Sequence, residues 1–247
     1  MQVSKYNASG NDFVIFHTFL SKDRSELAMK ICSRTNGVGA DGLIVLLPYE
    51  KGVKWEFYNS DGSYAAMCGN GSRAAARYAY LNGLVSSSEF ALLTGSGEGM
   101  ASVKEECVEV VLTSPKILSE PLNEGGKTWY FYDTGVPHLV NFTQNLGEFD
   151  VKECRALRQK YNANVNLAKF EGGVLKVRTY ERGVEDETLA CGTGMAACFY
   201  GATLNLNAAQ CLKVYPKSGE ELGLRLENAK ILFSGAVKHC FDTSIEI

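Results

Sequence analysis

The chain has 247 residues, 45% of them hydrophobic and 21% charged, with a formal net charge of −3. That length admits one large domain or two of ordinary size, and a slightly acidic balance leaves no electrostatic footprint for nucleic acid. The longest apolar runs, such as Leu43–Leu47, have the length of a strand, so no membrane-spanning helix is expected.

In chain order, alternating and β-branched runs predict a first strand over Asp12–Thr18, then an amphipathic helix over Lys22–Thr35 behind Ser21 as its cap. Strands follow at Gly42–Leu47 and Val53–Tyr58, closed by the turn residues Ser60-Asp61-Gly62. A helix over Ser72–Asn82 precedes a long strand over Ala101–Thr113. The second half repeats the order: a strand at Trp129–Tyr132, a helix at Val151–Tyr161, a strand at Leu175–Tyr180, a helix at Met195–Asn205, and strands at Leu222–Leu226 and Ile231–Val237. The helices at 72–82 and 195–205 are rich in alanine and aromatics with few charges, which suits central, enclosed elements.

Both of those helices are preceded by the same phrase. Met67-Cys68-Gly69-Asn70-Gly71-Ser72 and Ala190-Cys191-Gly192-Thr193-Gly194-Met195 each read C-G-x-G, and the two cysteines lie 123 residues apart. A domain-sized offset points to duplication, with a boundary near Thr113-Ser114-Pro115 and a final segment from about Lys238 returning to the first half. A thiol at a helix N-terminus is biased toward thiolate by the unpaired amides and the dipole there. Two such thiols flanking one carbon could remove a proton from one face and return it to the other, inverting a stereocentre. The eight cysteines include no C-x-x-C pair and there are only three histidines, so reduced thiols fit better than disulfide staples or zinc. The N-terminus has no apolar signal-peptide core, and a cytoplasmic location is the expectation.

Read outward from the thiols, Lys5 through Phe13, Asn59-Ser60-Asp61-Gly62-Ser63, Met67 through Arg73, Gly135-Val136-Pro137-His138, Asn164-Val165-Asn166, and Tyr180 through Gly194 together resemble the diaminopimelate epimerase family. The resemblance spans nearly the whole chain in the family's order. It implies an α/β fold of the α+β type: two pseudo-symmetric domains, each a curved, mainly antiparallel sheet around a central helix, with the site in the cleft between them. The domains would be residues 1–114 with about 238–247, and residues 115–237. It implies an isomerase, independent of pyridoxal phosphate and needing neither cofactor nor metal, that interconverts LL- and meso-2,6-diaminopimelate for lysine and peptidoglycan. Its partners would be that small substrate and a second copy in a homodimer, with no nucleic acid and no membrane.

By the same resemblance Cys68 and Cys191 are the catalytic pair, and Asn11, Asn59, Gly69, Asn70, Asn164, Glu181, Arg182, Gly192 and Thr193 hold substrate. Amides and backbone N–H groups suit the reacting carboxylate, Arg182 suits a distal carboxylate, and Glu181 suits an ammonium. His138 would support a thiol, and Glu185, Asp186 and Glu187 would mostly face water. Two positions depart from the family pattern: Gly42 stands where many members have Gln, and Val136 where many have Asn. The rival readings are a racemase of the histidine or proline type, although the proline type usually carries His where this chain has Asn70, and a thiol-disulfide enzyme using the same two cysteines.

Overall fold

The computed structural model describes residues 1–246, so Ile247, part of the expected C-terminal segment, lies outside the described residues. Internal contacts divide the chain into two compact units, one built from Met1–Val110 with the stretch from Ser234 onward, the other from Val111–Phe233.

The first unit opens with a hairpin of β1 (Gln2–Ala8) and β2 (Asn11–His17), turned by Ser9 and Gly10 at φ of 61° and 83°. Both central residues being left-handed is the condition for the tight turn that matches strand twist. Helix α1 (Ser25–Cys32) follows, then β3 (Gly42–Tyr49), β4 (Gly52–Asn59), α2 (Gly69–Leu81), β5 (Glu89–Thr94), β6 (Gly97–Lys104) and β7 (Cys107–Val111). Pairing runs β1 antiparallel to β2, β2 parallel to β3, β3 antiparallel to β4, β4 parallel to β5, and β5 antiparallel to β6. Residues Leu43 through Leu47 are all buried, and an unbroken buried run requires cover on both faces of the sheet. Ala28, Ile31 and Cys32 of α1 pack with Val14, Phe16, Leu43 and Val45, while α2 lies against β1, β2, β3 and β6.

The second unit holds β8 (Lys116–Glu124), β9 (Lys127–Asp133), β10 (Pro137–Phe142), α3 (Val151–Tyr161), β11 (Asn164–Glu171), β12 (Val174–Glu181), β13 (Asp186–Thr188), α4 (Gly192–Asn205), β14 (Cys211–Tyr215), β15 (Leu222–Glu227) and the first residues of β16 (Lys230–Ala236), whose end from Ser234 belongs to the first unit. Here β9 is antiparallel to β10, β10 parallel to β11, β11 antiparallel to β12, β12 parallel to β14, and β14 antiparallel to β15. That is the pairing sequence of the first unit, with α3 in the place of α1 and α4 in the place of α2. Cys154 and Leu157 of α3 join Leu139, Val165, Leu167 and Tyr180 in one apolar cluster, and α4 lies against β9, β10, β11, β12 and β15. The last strand, β17 (Lys238–Ser244), pairs antiparallel with β1 in the first unit.

Several sequence expectations need correction. Helix α1 begins at Ser25, because Asp23 Oδ1 takes the Ser25 amide, and Ser21 does not cap it: its hydroxyl is bonded to Glu56. The single strand expected over Ala101–Thr113 is a hairpin of β6 and β7, turned where Glu105 adopts φ of 54°. The helices expected from Ser72 and Met195 each begin three residues earlier, at the glycine after the cysteine. The sequence patterns do not mark strands β1, β5, β8, β10, β11, β13 and β14, whereas β17 lies in the segment expected to return to the first half.

Candidate active site

Each cysteine of the repeated phrase is the N-cap residue of its unit's buried helix, in extended conformation. In the first unit Cys68 Sγ accepts the Gly71 N–H at 3.4 Å, the bond that a serine or aspartate hydroxyl or carboxylate oxygen ordinarily provides at a helix start. The fit around Gly71 is close: an added Cβ would lie 3.3 Å from Cys68 Cβ and from the Trp55 ring, a contact its neighbours can meet with a small shift. Asn11 Oδ1 stands 3.7 Å from Cys68 Sγ.

Asn11 is oriented by an ion network behind it. Its Nδ2 donates to Asp41 Oδ2 at 2.7 Å, and Arg34 bridges Asp12 and Asp41 at 2.8–3.0 Å. Lys5 Nζ lies 2.7 Å from Asp12. Burial pushes the Asp12 carboxyl up, but hydrogen bonds from Arg34 and Lys5 outweigh it and hold the group down at about 2. Asn70 Oδ1 accepts from Arg73 Nη2 at 2.9 Å, and the same fully buried guanidinium donates to Ser9 Oγ at 2.7 Å and to the Ala236 carbonyl at 3.1 Å. Asn59 closes β4 and is tied to Ser63 by its amide, 2.9 Å to the hydroxyl. Gly42 has no room for the glutamine of the family pattern, since a Cβ there would meet Phe57 Cε2 at 2.5 Å and the Tyr58 carbonyl at 2.8 Å.

In the second unit Cys191 makes no side-chain cap to the backbone. Its Sγ lies 3.5 Å from Thr193 Oγ1, which is 3.0 Å from His138 Nε2. The parallel register of β10 and β11 sets His138 opposite Asn164, and residues 164 and 166 share one face of β11. Asn166 Nδ2 is 3.1 Å from His138 Nδ1, and Thr179 Oγ1, directly across from Asn166 on β12, donates to its Oδ1 at 2.9 Å. Asn164 Oδ1 accepts the Arg182 N–H at 2.7 Å, and Arg182 Nη1 donates to the Asn162 carbonyl at 3.0 Å. His138 is fully enclosed, and loss of hydration pushes its ring down to about 3 against the pull of its Asn166 bond, with the Arg182 charge pushing the same way as burial. The ring is neutral.

Thus Cys191, Thr193, His138, Asn164 and Arg182 form one continuous set of contacts, as do Cys68 and Asn11 in their own unit. Glu181 ends β12, its carbonyl bonded to the Glu185 amide. The acidic run after it does not simply face water. Glu187 has a side chain only 6% exposed, ion-paired to Arg178 and Lys217 at 2.6 and 2.7 Å, and Glu185 accepts from Tyr180 and pairs with Arg158. Sequence reasoning missed Asn166, Thr179, Asp12 and Asp41. For Asn166 a signal was present, because N-x-N on a strand puts both amides on one side.

These features define a class before they define a family. The fold matches the crystal structure of a probable proline racemase from Agrobacterium radiobacter K84, with a TM-score of 0.80 over 100% of this chain and 93% of that one, at 13% identity. A diaminopimelate epimerase profile matches residues 3–118. The chain is 57% identical to the diaminopimelate epimerase of a Nitratiruptor species, over 98% of each chain, and 55% identical to that of Campylobacter jejuni (strain 81-176), over 99% of this chain and 98% of that one. The chain belongs to the diaminopimelate epimerase family.

Proposed function

We propose that this chain is an isomerase that interconverts LL- and meso-diaminopimelate without cofactor or metal, using Cys68 and Cys191 as an acid–base pair on one substrate carbon. One thiolate takes the Cα proton and the other thiol supplies a proton to the opposite face, so roles exchange with direction. The developing carbanion spreads its charge onto the α-carboxylate, where amides of the first helical turns, at Gly69 and Asn70 and at Gly192 and Thr193, can stabilise it. The observation that carries this reading is the cysteine N-cap repeated on two helices with matching strand pairings, in a chain of this family.

Asn11, Asn59 and Asn164 supply polar contacts, Arg182 takes the distal carboxylate and Glu181 the distal ammonium. The remote end of diaminopimelate is itself an amino acid, so recognition needs both charge signs and excludes smaller amino acids. The two domains, 1–114 with 238–247 and 115–237, each contribute one thiol. The enzyme works in the cytoplasm as a homodimer.

The test is incubation in heavy water with LL-diaminopimelate, proline, lysine and histidine, with deuterium at Cα followed by NMR. Exchange into diaminopimelate alone is expected. Exchange into histidine or proline with none into diaminopimelate overturns the assignment in favour of the rival racemases.

A further inference from the structure

On the face of the second unit's sheet that carries α3, part of the surface is left open. Lys176, Arg178 and Tyr180 follow one another on one face of β12. Tyr180 packs with Cys154 and Leu157 of α3, whereas Lys176 and Arg178 line a cavity of about 610 Å³ with Val177, Tyr215, Pro216 and Lys217. That volume lies within the range of small-molecule sites. Three of the lining side chains are cations and none is an acid. The cavity beside α1 in the first unit, of about 580 Å³, mixes Lys22 and Lys30 with Asp23 and Glu26, so the single sign of charge is not imposed by the shared strand plan.

The three cations are held differently. Arg178 donates from Nε and Nη2 to Glu187 at 2.6 and 2.8 Å and from Nη1 to the Leu146 carbonyl at 2.9 Å, with its guanidinium 4.4 Å from the centre of the Phe149 ring. A guanidinium has five N–H bonds, so two are left for a ligand. Lys217 shares the same carboxylate at 2.7 Å. It sits in a turn closed by the Gly219 N–H on the Pro216 carbonyl at 2.9 Å and tied down by the Ser218 N–H on the Leu189 carbonyl at 3.0 Å. One carboxylate thus serves two cations. Lys176 has neither ion pair nor hydrogen bond among the described residues, and it stands directly opposite Lys169 on β11. Like charges in that register oppose folding, and the ion pair formed there joins Glu171 to Lys169, at 2.9 Å. A charge kept where the fold gains nothing from it, beside two that share one acid, is accounted for by an anion arriving from solution.

We propose that this cavity binds a nucleotide, its phosphate taken by Lys176, Arg178 and Lys217 and its flat ring by Val177, Tyr215 and Pro216. A phosphate monoester carries about 1.5 to 2 negative charges and three acceptor oxygens, which matches three cationic donors better than the two oxygens of a carboxylate do. Tyr215 is already pinned by the bond from its hydroxyl to Glu221, so a ring resting on it orders little that was free. None of these residues is among those assigned to the epimerase reaction, and the nucleotide is a second ligand rather than the substrate.

The experiment follows AMP by ligand-observed NMR with the enzyme, using adenosine and inorganic phosphate as competitors. AMP is expected to bind with a Kd below about 1 mM, and each competitor, having only half of the recognised chemistry, should need at least about tenfold more to displace it. Lys176→Glu should weaken AMP at least about tenfold and leave the thermal melt unchanged, since that side chain is exposed and has no partner to lose. Lys176→Gln removes the charge alone, weakens AMP less, and carries the test if the reversal alters the melt. Saturating LL-diaminopimelate should leave the AMP affinity as it is. No binding at about 1 mM AMP, displacement by adenosine or phosphate at equal concentration, an affinity indifferent to both Lys176 variants, or displacement by diaminopimelate overturns the proposal.

Discussion

Helices α2 and α4 occupy the same place in two units with the same strand pairings, yet they are held by different chemistry. Every residue of α2 from Gly69 to Ala79 is buried, including Arg73 and Arg77, whose guanidinium groups donate to the main-chain carbonyls of Ala236 and Val237. Helix α4 contains no charged residue and is held by apolar packing and by the Thr134 hydroxyl on the Thr193 carbonyl at 2.8 Å. The cysteines that begin them differ in the same spirit: one sulfur accepts a backbone amide, the other meets the hydroxyl of a threonine that in turn contacts a buried histidine. A duplicated backbone plan fixes where a thiol stands, and the side chains around it decide what that thiol is for.

Removing either sulfur tests whether both positions are needed. Cys68→Ala and Cys191→Ala should each lower epimerisation in both directions by about a thousandfold or more, and serine in either place should fall nearly as far because a hydroxyl yields little anion near neutral pH. Interconversion followed by NMR measures this, and a variant that keeps near-normal rates in both directions would break the pairing of the two helices.

A milder comparison uses the glycines one turn in. Gly194→Ala drives a Cβ into the Asn166 carbonyl and should destabilise the protein by about 1–2 kcal/mol, an overpacking cost only partly offset by the better helix propensity of alanine. Gly71→Ala meets nothing closer than 3.3 Å, so its helix gain of about 1 kcal/mol roughly cancels the small shift required of its neighbours. Urea midpoints of the two variants measure the contrast. Equal losses would mean that the Asn166 site is as yielding as the Trp55 side of Gly71.

A further contrast lies in acid. His138 is held at about 3, below its ordinary 6.5, so its neutral ring stabilises the fold fully above about pH 6.5. That contribution is lost as pH falls from 6.5 toward 3, with a slope approaching about 1.4 kcal/mol per pH unit. Asp12, held at about 2 against its ordinary 3.8, contributes above 3.8 and is lost only in the lower window down to 2. Between about pH 7 and pH 5, then, His138→Gln should lose less stability than the unaltered protein, as read by thermal melts. Parallel losses would remove His138 from the acid response.

Much of this architecture is legible in the residues. Helix α3 is marked by its periodicity from Val151 to Tyr161, and the buried run Leu43–Leu47 announces an enclosed strand. What is not legible has local causes. Glu105 takes a left-handed conformation that no glycine or asparagine advertises, so the β6–β7 hairpin reads as one strand. The glycines after Cys68 and Cys191 read as loop, although they form the first turn of each helix, where the sulfur or its neighbours satisfy the end. Of the Asn-Val-Asn segment only Asn164 was singled out, and Asn166, which fixes the histidine, becomes visible once β11 and β12 are paired. The contact of Cys191 with Thr193 lies within one turn and was close to readable, whereas Asp41 reaches Asn11 across 30 residues.

The anchoring of the C-terminal stretch by Arg73 and Arg77 has an evolutionary corollary. Both arginines bind peptide oxygens, which any amino acid supplies, and so the attachment is blind to the identity of residues 236 and 237 as such. A substitution at exposed position 236 leaves both cationic hooks on the helix with their partners, whereas Val237 is held by its own buried side chain as well.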